Sequence, residues 1–215
     1  MLNVRGAADT RMVQQIALQS RLKIPLLFGL DVIHGYRTTF PIPLAEAASW
    51  DMDAIALSAH TAATEAAASG LHWTFAPMVD VSHEPRWGRI AEGSGEDPYL
   101  GSVFAAAKVR AAQGTDYGAP DKVMAEAKHF AAYGAAEGGR DYNQADISES
   151  TLRNLYLPPF RAAVDAGVGG IMPSFKGRLS AGEIKAVAQF VSGTEPTAPP
   201  AAISVRQPSV AATIR

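Results

Sequence analysis

An α/β fold on a parallel sheet is what this 215-residue sequence predicts, and three observations carry it. Short runs that are apolar on both faces recur along the chain, as strands buried on both sides require. Helical stretches with recognisable caps separate them, so strand and helix alternate. Charged and aromatic side chains sit directly behind the runs, where a parallel sheet collects its polar groups on one rim.

The first strand is placed over Ile24–Leu30 (IPLLFGL). Asp51 is a good N-cap for a helix running to about Ser69, with Gly70 as its C′ stop and an Ala-rich interior suited to close packing on a sheet. Trp73–Val79 (WTFAPMV) reads as the second strand. A helix then follows Pro98 and runs to about Gln113, before Gly114. Lys122–Phe130 (KVMAEAKHF) is the weakest of the four strand candidates as an apolar run. A third helix opens near Ser148, with Asp146 and Glu149 at capping-box spacing. Pro158 and Pro159 should break or kink it before Phe160–Ala166 resumes. Val168–Met172 is the fourth strand. Beyond it, Ser180 and Glu183 form a capping box ahead of Ile184, Val187, Ala188 and Val191, an amphipathic helix. After Gly193 the chain turns rich in Pro, Thr, Ser and Ala, the composition of a linker or disordered tail.

Several function classes are excluded early. Nineteen Lys plus Arg stand against 21 Asp plus Glu, without the basic surplus of a nucleic-acid protein. With no Cys, a disulfide scaffold, a thiolate zinc site, covalent c-type haem and a Cys nucleophile are ruled out. No apolar run reaches the ~18 residues of a membrane span. Met1–Arg5 lacks the basic start and apolar stretch of a signal peptide. His34, His60, His72, His83 and His129 show no metal spacing, and no H-E-x-x-H, Walker A, G-x-G-x-x-G or G-x-S-x-G motif occurs. No metal site is expected.

The chemistry lies behind the strands. Asp31 and His34 follow the first, and Asp80 follows the second, with the loop Glu84–Arg89 soon after. Lys128 and His129 close the third, and Arg140 and Asp141 lie in the loop beyond. Such a mixture suits a polyhydroxylated ligand, because charged groups make charge-assisted hydrogen bonds to hydroxyls. An indole such as Trp87 can cover the apolar face of a sugar ring. Structural roles compete at each position. Asp31 could pair with Arg37 or cap a turn, His34 could brace its loop, and Trp87 could be packing. Arg86 or Arg89 could pair with Glu92 or Asp97, Arg86 being the better candidate, and Glu84, Glu92 and Glu96 read as surface or loop-bracing carboxylates. His60 and His72 read as packing or surface residues. Lys128 beside His129 is harder to explain structurally: a strand that buries adjacent basic groups needs anionic or hydroxyl partners.

Four segments, in order, resemble the N-terminal barrel domain of glycoside hydrolase family 3, in its β-glucosidase branch: RLKIPLLFGLDVIHGYRTTFPIPLAEAASWD, WTFAPMVDVSHEPRWGRIAEGSGEDPYLG, AKHFAAYGAAEGGRDYN and DISESTLRNLYLPPFRAAVDAGVG. The resemblance covers residues 1 to about 175. It implies a TIM-type (β/α)₈ barrel and retaining hydrolysis of β-linked glucosides by two carboxylates ~5 Å apart, with no cofactor. By motif, Asp31, Arg89, Lys128 and His129 are implied as hydroxyl binders of subsite −1, Arg140 as a further basic position and Met172 as a residue lining the same pocket. The family's N-acetylglucosaminidases carry an Asp-Ser-His loop after Lys-His-Phe. Here AAYGAAEGGRDYN follows Lys128-His129-Phe130, which disfavours that activity. No catalytic residue is expected within this chain. The Ser-Asp-Trp segment that carries the family nucleophile does not occur in it, and the acid/base Glu belongs to a following domain.

The four strand candidates begin near residues 24, 73, 122 and 168, a spacing at which eight do not fit in 215 residues. The expectation is a partial (β/α)₈ TIM-type barrel of about four βα units over 1–175, an unrelated amphipathic helix over 176–193 and a disordered tail over 194–215. Residues 172–180 also resemble the end of small c-type cytochromes, but without Cys-x-x-Cys-His haem attachment has no support. The expected function is β-glucosidase-type hydrolysis at the family level, with this chain inactive alone; the alternative is a non-catalytic carbohydrate-binding remnant. The expected partner is a β-glucoside or glucose-like sugar, with neither nucleic acid nor membrane, and unpaired sheet edges predict self-association. The family is often periplasmic or secreted, whereas this sequence shows no signal peptide, so the compartment stays open.

Overall fold

A computed structural model describes residues 1–173; the helix expected over 176–193 and the tail over 194–215 lie outside the described residues. Among the described residues four parallel strands lie side by side in chain order, β1 (Gly29–Leu30), β2 (Trp73–Thr74), β3 (Met124–Phe130) and β4 (Gly170–Pro173). Each connection carries a helix: α3 (Met52–Ala68) between β1 and β2, α4 (Pro98–Gln113) between β2 and β3, and α6 (Pro158–Asp165) between β3 and β4. Two further helices, α1 (Ala7–Ala17) and α2 (Pro43–Ala48), precede α3. The α/β class and the parallel sheet are as the sequence predicts.

The caps do what their chemistry requires. The Asp51 carboxylate accepts the Ala54 N–H at 2.9 Å, and that of Asp97 accepts the Leu100 N–H at 2.7 Å, with Pro98 opening α4. Gly70 stops α3 at a φ of +83°, and a Cβ there would meet Thr10 Oγ1 of α1 at 2.1 Å. Ala62, Ala63 and Ala66 of α3 and Ala105, Val109 and Ala112 of α4 join Ala125 and Ala127 of β3 in one core. Small side chains let the helices lie close on the sheet, and Phe28, Val79 and Phe160 fill the remaining volume.

Several boundaries differ from expectation. Of the stretch 24–30 only Gly29 and Leu30 pair with β2, while Ile24 and Leu27 are exposed. After Thr74 the chain leaves regular pairing around Ala76 and Pro77, yet it still follows β3. The Ala76 and Pro77 carbonyls accept from Glu126 and Lys128 N–H, and Val79 N–H donates to the Lys128 carbonyl. The weakest strand candidate is the longest strand among the described residues, with seven residues. At the third helix the N-cap is Ser148, which accepts the Thr151 N–H at 3.0 Å. That helix, α5 (Glu149–Thr151), runs into a π-helical turn over Leu152–Tyr156, and Pro158 begins α6 rather than breaking a longer helix. Neither α1 nor α2 was expected. Gly6 gives α1 no side-chain cap, and α2 is a six-residue turn. Met1 and Leu2 lie along the outer edge of β1, where Gly29 N–H donates to the Met1 carbonyl at 2.9 Å. Among the described residues no helix is long and apolar enough to cross a membrane.

Candidate active site

Parallel pairing aligns Lys128 with Met172 of β4 on one side and with Met78, beyond β2, on the other. Alternation along β3 sends Glu126 and Lys128 to one face and Ala125 and Ala127 to the face under the helices. The ladder shifts register between Lys128 and Phe130, at the carboxyl rim. Here two adjacent basic side chains find different carboxylates. Lys128 Nζ lies 2.5 Å from Asp31 Oδ1, at the end of β1. His129 Nδ1 lies 2.9 Å from Asp80 Oδ2, and the same oxygen accepts the His129 backbone N–H at 2.8 Å. The need for anionic partners, read from the sequence, is met by both.

The two pairs differ in access. The Lys128 side chain keeps 4% of its surface, while that of Asp31 keeps 62%. Asp80 is fully buried, and its Oδ1 has no hydrogen-bond partner among the described residues. His129 keeps 11% of its side-chain surface.

Arg89 sits on the 3₁₀ turn Gly88–Glu92, which brings it over Glu92. Its Nε and Nη2 donate to the two Glu92 oxygens at 2.7 and 2.8 Å, a bidentate fork. Burial works to raise the Glu92 carboxyl, but the Arg89 hydrogen bond and charge prevail, aided by Lys128 and His129, and hold it below its ordinary value. The hydrogen bond to Glu92 raises the Arg89 guanidinium against the opposing effect of burial. Tyr133 stands between Arg89 and His129: the guanidinium carbon is 5.4 Å from its ring centroid, and the imidazole meets it edge-on at 5.0 Å. Burial, then hydrogen bonding with Asp141, pushes the Tyr133 phenol up.

The structural alternatives resolve individually. Asp31 pairs with Lys128 rather than Arg37, whose backbone N–H, like that of Thr38, donates to Glu65. His34 Nδ1 lies 2.9 Å from the Phe40 carbonyl and braces its loop. Arg86 pairs with Glu84 at 2.6 Å, not with Glu92 or Asp97, because Glu92 is taken by Arg89 and Asp97 caps α4. Trp87 is packing. The residue is 1% exposed, so the ring offers no open face to a sugar, and its indole N–H donates to Asp141 at 2.8 Å. Arg140 is exposed on the following loop and makes no ion pair among the described residues. That loop lies directly on the Glu84–Trp87 turn. Gly139 has a φ of +67°, and a Cβ there would stand 2.8 Å from the Trp87 nitrogen.

Two participants carry no sequence signal of their own. Tyr133 lies in an unpatterned Ala- and Gly-rich loop. Glu126 is 6% exposed, shares the face of Lys128, and has one oxygen without a hydrogen-bond partner among the described residues. Burial raises its carboxyl, against the pull of Lys128. Among the described residues no group of His, Asp and Glu is arranged to hold a metal ion. The rim therefore offers an open carboxylate, a buried ammonium, an oriented imidazole and a locked guanidinium, all fixed by protein partners. Such a set can hydrogen-bond several hydroxyls of one ligand without reorganising.

Comparison with known proteins gives a consistent result. Residues 3–182 match the model for the glycosyl hydrolase family 3 N terminal domain. A periplasmic β-glucosidase of Salmonella typhimurium is 52% identical over 173 residues, covering 80% of this chain and 23% of its own length. A lysosomal β-glucosidase of Dictyostelium discoideum is 35% identical, covering 84% of this chain and 23% of its own. The structure of a β-glucosidase from Listeria innocua in complex with isofagomine superposes with a TM-score of 0.79 at 44% identity, covering 80% of this chain and 25% of that one. A mutant of that enzyme in complex with laminaribiose gives a TM-score of 0.84 at 40% identity, covering 88% and 28%. This chain spans about a quarter of the length of these relatives.

Proposed function

Because this chain belongs to glycosyl hydrolase family 3, we propose that its sheet rim is the sugar-binding part of a β-glucosidase-type site, taking a β-glucoside or a glucose-like sugar. The observation that carries this reading is the meeting of Asp31–Lys128 and His129–Asp80 at the carboxyl ends of parallel strands. Asp31 accepts from sugar hydroxyls through its open surface, and Lys128 donates to them. Arg89, held in plane by Glu92, donates from its remaining N–H groups, and His129 presents Nε2. Met172, beside Lys128 in the ladder, supplies apolar lining, and Arg140 is a further donor from the neighbouring loop. Complexes of the Listeria enzyme with isofagomine and with glucose support a sugar as the ligand class.

In this reading the chain binds sugar but does not cleave it alone, since no Ser-Asp-Trp nucleophile segment occurs in its sequence. The alternative, a non-catalytic carbohydrate-binding module, shares the binding step. Titration calorimetry with glucose and isofagomine, beside chromophore release from 4-nitrophenyl β-glucoside, tests both steps. We expect saturable binding without release. Absence of binding overturns the sugar reading, and release overturns the inactivity of this chain. The outer edge of β4, without a paired strand among the described residues, also favours self-association. Sedimentation velocity should then show association that grows with concentration, and a single monomeric species throughout would refute it.

A further inference from the structure

The geometry points to Asp80 as a positioning residue that fixes which ring nitrogen of His129 carries the proton and so determines how the sugar is read. This inference rests on the sugar-binding reading above. An ionised carboxylate only accepts hydrogen bonds. Asp80 Oδ2 lies 2.9 Å from His129 Nδ1 and already takes the His129 backbone N–H at 2.8 Å. The proton therefore sits on Nδ1, and the backbone bond clamps the same residue at a second point. The ring cannot turn away from Asp80 without leaving a fully buried carboxylate short of a partner. Nε2 takes no protein partner among the described residues, and the imidazole keeps 11% of its surface.

The consequence is chemical. Asp31 accepts and Lys128 donates, so both polarities are already available at the rim. A neutral imidazole protonated at Nδ1 makes Nε2 an acceptor, and the hydroxyl facing it must donate. The other tautomer would turn Nε2 into a donor and leave the Asp80 oxygen facing a lone pair. Edge-on contact with Tyr133, at 5.0 Å, holds the ring from a further side. Asp80 touches no ligand in this scheme and acts through His129 alone.

Long-range ¹H–¹⁵N spectra of the ¹⁵N-labelled protein report the imidazole tautomer directly, with His129→Gln assigning the His129 signals among the five histidines. The expected spectrum shows His129 protonated at Nδ1, with Nε2 shifting when glucose or isofagomine is added. Asp80→Asn keeps an acceptor oxygen and should retain both the tautomer and the binding. Asp80→Ala should lose the fixed tautomer and weaken glucose about 10-fold, the worth of one hydrogen bond. A wild-type His129 protonated at Nε2 overturns the assignment. So does an Asp80→Ala protein with unchanged tautomer and affinity. If Asp80→Ala does not fold, the wild-type and Asp80→Asn spectra decide. A fixed Nδ1 proton with no response to either sugar overturns the sugar reading alone.

Discussion

Two buried lysines, twenty residues apart in sequence, show how differently the same ion pair can be used. Lys108 on α4 meets Glu46 of α2, and their side chains keep only 7% and 6% of their surface. Ser58 Oγ donates to the same carboxylate at 2.5 Å, and the Lys108 ammonium lies 5.1 Å from the Phe104 ring centroid. Burial lowers the Lys108 pKa, and the Glu46 charge opposes that. Lys128 is buried just as deeply, but its partner Asp31 keeps 62% of its side-chain surface. Burial of the lysine does not separate the two pairs; access to the carboxylate does. The closed pair ties α2, α3 and α4 together, and the open one leaves the Asp31 carboxylate facing solvent, where the proposed sugar would meet it.

The largest expected effect breaks the closed pair. Lys108→Met leaves the buried Glu46 charge with Ser58 Oγ but no cation and should cost about 3–5 kcal/mol of stability, read by urea unfolding. Glu46→Leu with Lys108→Met removes both charges and should recover much of that loss. A single Lys108→Met that melts like the wild type would remove the distinction between the two pairs.

Asp31→Asn probes the open pair. Losing a charged acceptor should weaken glucose by about 1.5–3 kcal/mol, on the order of 10- to 100-fold. Asn keeps an amide oxygen as acceptor for the buried Lys128 ammonium, and the pair is open to water on the Asp31 side, so the melting temperature should fall much less than for Lys108→Met. Calorimetry and thermal melts on the same samples separate the two outcomes. A variant that loses stability but keeps its affinity would assign Asp31 to structure.

How far the sequence discloses these features depends on the range of the interaction. Asp51 is legible as a cap because a cap needs only three residues of local chain; Asp97, read from the sequence only as a possible ion-pair partner, caps α4 by the same geometry. The apolar run that becomes β3 looks weak for a physical reason: Glu126 and Lys128 occupy alternate positions on the face turned away from the helices, where the proposed site lies. Lys128 beside His129 signals buried basic groups, but their partners lie 97 and 49 residues away, and no local pattern names them. The choice between Arg86 and Arg89 as the partner of Glu92 depends on the 3₁₀ turn over 88–92. α1 escapes notice because Gly6 contributes no capping side chain.

A smaller effect concerns Glu126. Its folded-state carboxyl is raised above the ordinary value, first by burial. As pH rises through the ordinary carboxylate range, the unfolded chain releases this proton before the folded one does, and stability falls until the folded value is passed. Glu126→Gln removes that loss. It should raise the melting temperature near neutral pH and make no difference in acid, where the carboxyl is protonated in both states. Equal melting temperatures at neutral pH would place the Glu126 carboxylate in a well-solvated setting.

The smallest expected effect separates two neighbouring arginines that look alike in sequence. Arg86 meets Glu84 as Arg89 meets Glu92, and both pairs are bidentate. Arg86, however, keeps 73% of its side-chain surface, against 26% for Arg89. Its side-chain hydrogen bond holds the Glu84 carboxyl down to about 2. That pair's contribution is present above the ordinary carboxylate value and is lost as pH falls toward about 2. Water and salt screen so open a pair, so Arg86→Ala should leave the melting temperature at neutral pH unchanged within about 1 °C and glucose affinity unchanged. Arg89→Ala should change both, because it removes a donor from the rim and leaves a half-buried Glu92 without its fork. If Arg86→Ala weakened glucose as strongly as Arg89→Ala, the ligand would extend over the Glu84–Trp87 turn, and the site would be wider than the rim pairs define.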